Sequence, residues 1–397
     1  MSRPSFRLFL LLAACAATGP LQLNVYLPSL PLVQADFGAS VADVQWTVSL
    51  PMVAFGLGLV LFGPLSDRLG RRPVLLAGLC LFTLASVFGA IAGGVWTLAI
   101  ARALQSAGAS VVFITARAVV ADLTPREQLQ RSVAQLTMIV LMGQMVAPLL
   151  GNLAMSFGGW RVIQYLLIAS GVGLTAVVAT RLPETLQRAP DTSRFGLGSL
   201  VLPTIELLSK PGFRLQLSQI GLLYAAYPAF VSIAPHLMIA VFHRPPTEYG
   251  YYFAMLPLGY FAGNAFVLRY GQRFHQSQLI RGGSLLAGGG SLLAAALLAL
   301  VVNHPAALFV PFGLVANFAL GLSLPSATAR AIGHAWPNTA SAWGLAGFSQ
   351  QVLGACIVQV LGFFPAETPY PMLLLCAAVA TMPAVLERWH RTAEPVR

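Results

Sequence analysis

Charge is scarce in this sequence. Only 9% of its 397 residues are Asp, Glu, Lys or Arg, and 57% are hydrophobic. A soluble domain carries about a quarter charged residues. So little charge excludes a water-solvated globule of this size and points to lipid as the solvent. Lysine is nearly absent, Lys210 standing alone against 22 arginines, a bias that looks like GC-rich coding. The 4 cysteines, Cys15, Cys80, Cys356 and Cys376, lie in apolar runs, and none forms a Cys-x-x-Cys pair. That argues against disulfide or metal roles. The 6 histidines are scattered without ligand spacing, so no metal and no cofactor is expected. There is no Gly-x-x-x-x-Gly-Lys-Ser/Thr loop, so ATP is not the direct energy source.

What is present is a series of long apolar runs. A spanning helix needs about 20 apolar residues at 1.5 Å each, and only helices or closed barrels satisfy their backbone groups in lipid. Twelve candidate spans follow, at 8–33, 45–66, 73–92, 95–120, 133–157, 161–180, 213–242, 249–268, 282–302, 306–329, 338–364 and 370–387. No Asp or Glu falls in the interior of any of them. Arg3 and Arg7 before an apolar run resemble a signal peptide, and Leu12-Ala13-Ala14-Cys15 a lipoprotein cleavage box. The run continues past Pro20 towards Val33, so a first spanning helix explains the same residues. One connection is long: 182–212 holds Glu184, Arg188, Asp191, Arg194, Glu206 and Lys210 with four prolines. It separates an N-terminal six-helix bundle, 1–181, from a C-terminal one, 213–397.

Basic residues set the orientation. With the N-terminus inside, 20 arginines and lysines lie on the cytoplasmic side, only Arg161 and Arg244 lie outside, and Arg102 stays in the membrane. The net charge of +11 is therefore a topology signal and not a nucleic-acid surface. Both termini and the linker are expected in the cytoplasm. A faint repeat relates the halves: Arg68, Gly70 and Arg72 after span two match Arg269, Gly271 and Arg273 after span eight, each 201 residues later.

The strongest local signal is Gly63-Pro64-Leu65-Ser66-Asp67-Arg68-Leu69-Gly70-Arg71-Arg72-Pro73. It reads as a tight cytoplasmic turn in which Gly70 permits an unusual backbone angle. Asp67 is placed to meet the positive end of another helix. An ordinary positive-inside loop explains the arginines but not this order.

That order resembles the signature loop of the major facilitator superfamily. In span four, Arg102, Gln105 and Gly108 are similar to the superfamily's Arg-x-x-Gln-Gly-x-Gly pattern, with Ser106 where glycine is usual. In span five, Gly143-Gln144-Met145-Val146-Ala147-Pro148-Leu149-Leu150-Gly151-Asn152 resembles the Gly-x-x-x-Gly-Pro-x-x-Gly-Gly motif of exporters, with Ala147 and Asn152 replacing two glycines. In span one, Asn24-Val25-Tyr26-Leu27-Pro28-Ser29-Leu30-Pro31 is similar to the Asp-Met-Tyr-Leu-Pro-x-x-Pro segment of exporters for bicyclomycin and chloramphenicol. The resemblance implies an all-α integral membrane fold: twelve transmembrane helices in two pseudo-symmetric six-helix bundles. It implies a cavity that opens alternately to each side, lined by spans one, four, seven and ten.

The site residues follow from both readings. Arg102, alone in mid-membrane, costs about 2.5–3.5 kcal/mol to insert. It either faces the cavity and binds anionic or carbonyl oxygens, or snorkels outward. Gln105 shares its face. Tyr224 and Tyr227 share a face of span seven, and Gln22 and Tyr26 share one of span one. Asn24, Tyr26, Arg102, Gln105, Tyr224 and Tyr227 are the candidate substrate-binding residues, with helix packing as the plain alternative for Gln22, Gln105 and the tyrosines. Gly63, Asp67, Arg68, Gly70, Arg71, Arg72, Asp122, Gly143, Pro148 and Gly151 are the candidate gating residues. Within that set Asp67 is expected to meet the start of span eleven near Asn338, and Arg71 or Arg72 to pair with Asp122. Asn24 stands where related exporters carry an acid, so a span-one carboxylate is not the proton carrier. His236 is the candidate in its place.

These readings describe a secondary transporter of the bacterial inner membrane, not an enzyme. It is expected to act as a monomer and to export a small amphipathic drug or antibiotic against a coupling proton. A dedicated exporter of an endogenous metabolite such as a siderophore is the alternative. An integral-membrane acyl or glycosyl transferase would need an acid, base or metal cluster near the interface, and none is present in the sequence.

Overall fold

The structure, a computed structural model, describes residues 6–124, 129–185, 204–245, 248–300, 304–335, 339–365 and 368–393. Every regular element among them is helical. The chain divides into two compact units, Met1–Leu202 and Pro203–Arg397, a division inside the expected linker 182–212.

The first unit contains α1 (Phe6–Tyr26), α2 (Val41–Leu69), α3 (Arg71–Ala90), α4 (Val95–Leu123), α5 (Leu129–Met155) and α6 (Arg161–Arg181). The second contains α7 (Pro211–Ala240), α8 (Met255–Tyr270), α9 (Gln276–Leu300), α10 (Asn317–Gly333), α11 (Thr339–Leu361) and α12 (Tyr370–Ala393). Eleven stretches among the described residues are long and apolar enough to cross a bilayer. The expected eighth span, 249–268, differs. It is broken at Ala254 into a short helix, Tyr249–Phe253, and the 16-residue α8. Pro257 explains the break, because it has no N–H to give to the carbonyl of Phe253.

Other proline-bearing spans are irregular too. α1 continues through a 3₁₀ turn, Leu27–Ser29, into a helix at Leu30–Phe37, where Pro28 and Pro31 remove donors. The tenth span starts as a short helix, Pro305–Phe309, and passes through a π-helical turn, Val310–Ala316, before α10. Pro311 withholds a donor at the start of that turn. Asn317 closes its far end, donating its side-chain amide to Phe312 O at 3.0 Å.

The two units repeat one packing plan. In the first, α1 packs on α4, α5 and α6, α2 on α4, and α3 on α4 and α6. In the second, α7 packs on α10, α11 and α12, α8 on α10, and α9 on α10 and α12. The core of the first unit includes Leu12, Ala13 and Cys15 with Leu75, Leu79, Val112 and Val119. The segment that resembled a cleavage box is thus packed into the bundle as part of α1.

Two features add detail to the sequence reading. α12 continues past 387, so Glu387, the last residue of the expected twelfth span, lies within a helix and is buried. The Arg-x-Gly-x-Arg repeat does not extend to the backbone. Gly70 has φ +98°, whereas Gly271 has φ −58° in a 3₁₀ turn.

Candidate functional site

Arg102 lies two turns into α4 and is 1% exposed. Burying a guanidinium is costly unless its donors find partners, and here neighbouring helices supply them. Its Nε donates to Thr47 O on α2 at 2.9 Å, Nη1 to Gln105 Oε1 at 3.4 Å, and Nη2 to Gln22 O on α1 at 3.5 Å. Its plane lies over the Tyr26 ring, 3.7 Å from the centroid, so a cation–π contact adds to the bonds. The side chain does not snorkel to an interface.

The network continues outward. Tyr26 OH pairs with Thr47 Oγ1 at 2.8 Å, and Gln22 donates to Ser106 Oγ at 2.5 Å. Gln105 donates to Ser86 Oγ on α3 at 2.6 Å and to Gln164 Oε1 on α6 at 3.2 Å. Arg102, Gln105 and Tyr26 are thus brought together with residues of five helices. Asn24, also buried, turns away from them and donates to Pro20 O of its own helix at 2.7 Å. Gln22, Thr47, Ser86, Ser106 and Gln164 complete a polar core in which sequence reasoning singled out only some members. Buried amides and hydroxyls recurring on apolar helices are the signal that was available for the others.

The signature loop is the joint between α2 and α3. Gly70 takes the positive φ there. Arg71 is the partner of Asp122, Nε to Oδ2 at 2.9 Å, and its Nη1 donates to Ser66 Oγ at 2.7 Å. Arg72 donates instead to Ala179 O on α6 at 2.6 Å. Gly63 lies within α2, while the side chains of Asp67 and Arg68, and Asn338 altogether, lie outside the described residues. In α5, a Cβ on Gly151 would run into the carbonyl of Val25, whereas one on Gly143 would meet only Ala17 Cβ at 3.9 Å. Gly151 is therefore required for the close approach of α1 and α5, and Pro148 sits inside that same helix.

In the second unit, Tyr224 and Tyr227 are half-buried on α7 with ring centroids 5.9 Å apart, and Tyr224 bonds to Gln351 of α11. His236 is buried further along α7, and neither of its ring nitrogens has a hydrogen-bond partner among the described residues. The closest charge pair among the described residues of this unit had no counterpart in the sequence reading. Arg330 of α10 meets Glu387 of α12 at 2.8 Å, and Gln219 of α7 bridges them.

The sequence profile of the Major Facilitator Superfamily matches residues 12–359. The chain belongs to that superfamily. Among superfamily relatives, it is 30% identical over 383 residues to the chloramphenicol resistance protein of Pseudomonas aeruginosa, covering 94% of this chain and 88% of that one. It is 30% identical over 358 residues to the transporter YdgK of Bacillus subtilis, covering 89% and 87%. A crystal structure of the peptide transporter POT shares its fold, with a TM-score of 0.78 at 15% identity over 98% of this chain and 96% of that one. Members of this superfamily are multi-pass membrane transporters, and the polar core around Arg102 lies within that scaffold.

Proposed function

We propose that this transporter is a secondary exporter that moves a small amphipathic molecule of the drug or antibiotic class out of the cell by alternating access, driven by protons. The observation that carries this reading is the 30% identity, over 94% of the chain, to a protein named for chloramphenicol resistance. The side-chain chemistry within each unit agrees with it. Tyr26 and Gln105 in the first unit, and Tyr224 and Tyr227 in the second, are neutral aromatic or amide groups. The Arg102 charge is already met by carbonyl oxygens and by the Tyr26 ring. A neutral, part-aromatic solute suits such groups better than a bare ion, which would need a desolvated partner.

The protein acts as a monomer in the bacterial inner membrane. Both termini and the linker 182–212 are cytoplasmic, following the basic asymmetry. The coupling proton does not travel on Asn24, because an amide does not titrate. In this reading His236 of α7 is the proton carrier.

The test is growth of an efflux-deficient host expressing the protein, against chloramphenicol, bicyclomycin and lipophilic cations. A siderophore secretion assay runs beside it. Raised tolerance to the neutral compounds supports the reading. Unchanged tolerance with increased siderophore secretion replaces it with metabolite export.

A further inference from the structure

Leu182, just beyond α6, is buried against the core that contains Leu12, Leu75, Leu79 and Val178. Two residues on, the exposed Glu184 faces the first turn of α3. Its carboxylate accepts the backbone amides of Arg71 at 3.0 Å and Arg72 at 3.2 Å. A helix start leaves such N–H groups without intrahelical partners, and a carboxylate there also meets the positive end of the helix dipole. Gly70 leaves room for the approach: a Cβ at that position would lie 2.8 Å from Glu184 Oε2, and the carboxylate would have to shift.

The same short segment reaches further. Thr185 donates its amide to Glu184 Oε1 at 2.9 Å, and its hydroxyl lies 3.5 Å from Asp122 Oδ2. That carboxylate oxygen is the one held by Arg71 Nε. Arg72, whose amide Glu184 also holds, sends its guanidinium to Ala179 O on α6. The start of α3, the end of α4 and the end of α6 therefore meet around Glu184.

We infer that Glu184 is a positioning residue of the signature loop: it fixes the first turn of α3 so that Arg71 reaches Asp122, and ties the loop to the start of the segment joining the two units. A surface helix cap would stabilise α3 in the same way. Glu184 differs because its bonds fall on the backbones of the two arginines whose side chains clamp α4 and α6. Loss of the carboxylate releases both clamps together. In the transport cycle this sets how readily the loop rearranges, a consequence that rests on the transporter reading. The contact geometry does not rest on it.

Glu184→Gln keeps the shape and loses the charge. Glu184→Asp keeps the charge on a side chain one methylene too short to serve both amides. Hydrogen–deuterium exchange on the purified full-length protein reads the contact directly. In Glu184→Gln the peptide carrying the Arg71 and Arg72 amides is expected to exchange about fivefold faster, the loss of a typical helix cap. The rest of α1, α4 and α6 stays unchanged, and Glu184→Asp falls between. With chloramphenicol as the probe, the maximal transport rate falls in Glu184→Gln at unchanged KM, and Glu184→Asp partly restores it. Unchanged exchange at Arg71 and Arg72 overturns the inference. So does exchange that rises throughout the first unit, or a rate that falls only in step with the amount of folded protein, since either marks a role in stability alone. If the unsubstituted protein does not carry chloramphenicol, the failure belongs to the export reading, and the exchange result alone decides on Glu184.

Discussion

Arg330 holds Glu387 with both prongs of its guanidinium, Nη1 to Oε1 at 2.8 Å and Nη2 to Oε2 at 2.9 Å. Gln219 closes the ring, accepting from Arg330 at 2.6 Å and donating to Glu387 at 3.0 Å. The pair ties α7, α10 and α12 at one end of the second unit. The Glu387 side chain is 4% exposed and that of Arg330 14%, so neither charge is fully solvated if its partner is removed. Arg330→Ala or Glu387→Ala alone should cost about 3–5 kcal/mol, and replacing both by apolar residues should recover much of that. Denaturant unfolding in detergent checks it; two single variants as stable as the parent would show the ring to be incidental.

Arg102→Ala should abolish transport, because it leaves Thr47 O and the Tyr26 ring without their partner inside the bundle. An unsatisfied buried acceptor costs about 1–3 kcal/mol, so some loss of thermal stability is also expected. Arg102→Lys should rescue only in part, since an ammonium lacks the planar fork that reaches Thr47, Gln105 and Gln22 together. Transport rate per inserted molecule is the measurement. Full activity in Arg102→Ala would remove this residue from the site.

The glycines of the α5 motif should separate sharply. Gly143→Ala has room beside Ala17 and should be nearly silent. Gly151→Ala drives a methyl into the Val25 carbonyl and must push α1 from α5, with a cost of about 1–3 kcal/mol for overpacking. Thermal midpoints of the two variants read this directly, and equal midpoints would contradict the close contact.

Asn24→Ala should leave proton-driven flux coupled, since the amide's hydrogen bond goes to Pro20 O and an amide carries no proton. Asn24→Asp introduces a carboxylate near that carbonyl and should shift preference towards cationic substrates. Competition between chloramphenicol and a lipophilic cation measures the shift. Loss of coupling with flux preserved in Asn24→Ala would mean that position 24 matters in a way its chemistry does not explain.

How much was legible from sequence depended on contrast. Arg102 stood out because a charge within an apolar run has no other explanation, and the Gly70 turn was marked by a motif with a backbone requirement. Glu387 and Arg330 were invisible for the opposite reason. Each lies at the end of an apolar run, where a charge reads as part of a loop, and their contact joins helices 57 residues apart. Glu184 was counted only as a linker acid, because its partners are backbone amides 112 and 113 residues away. Pro257 and Pro311 are plain in the sequence, but whether a proline bends, breaks or widens a helix depends on what neighbouring residues supply, as Asn317 does for Phe312. The outer arginines are similar. Arg161 and Arg244 run against the basic asymmetry, and the structure pairs them with Asp36 at 2.7 Å and Glu248 at 3.8 Å.

The most direct test of proton-driven export is proton movement in vesicles reconstituted with the purified protein and loaded with a pH-sensitive dye. Addition of chloramphenicol should move protons in the opposite direction to the drug, and collapse of the pH gradient with a protonophore should stop its accumulation. Drug accumulation that continues unchanged after the gradient has been collapsed would contradict proton-driven export.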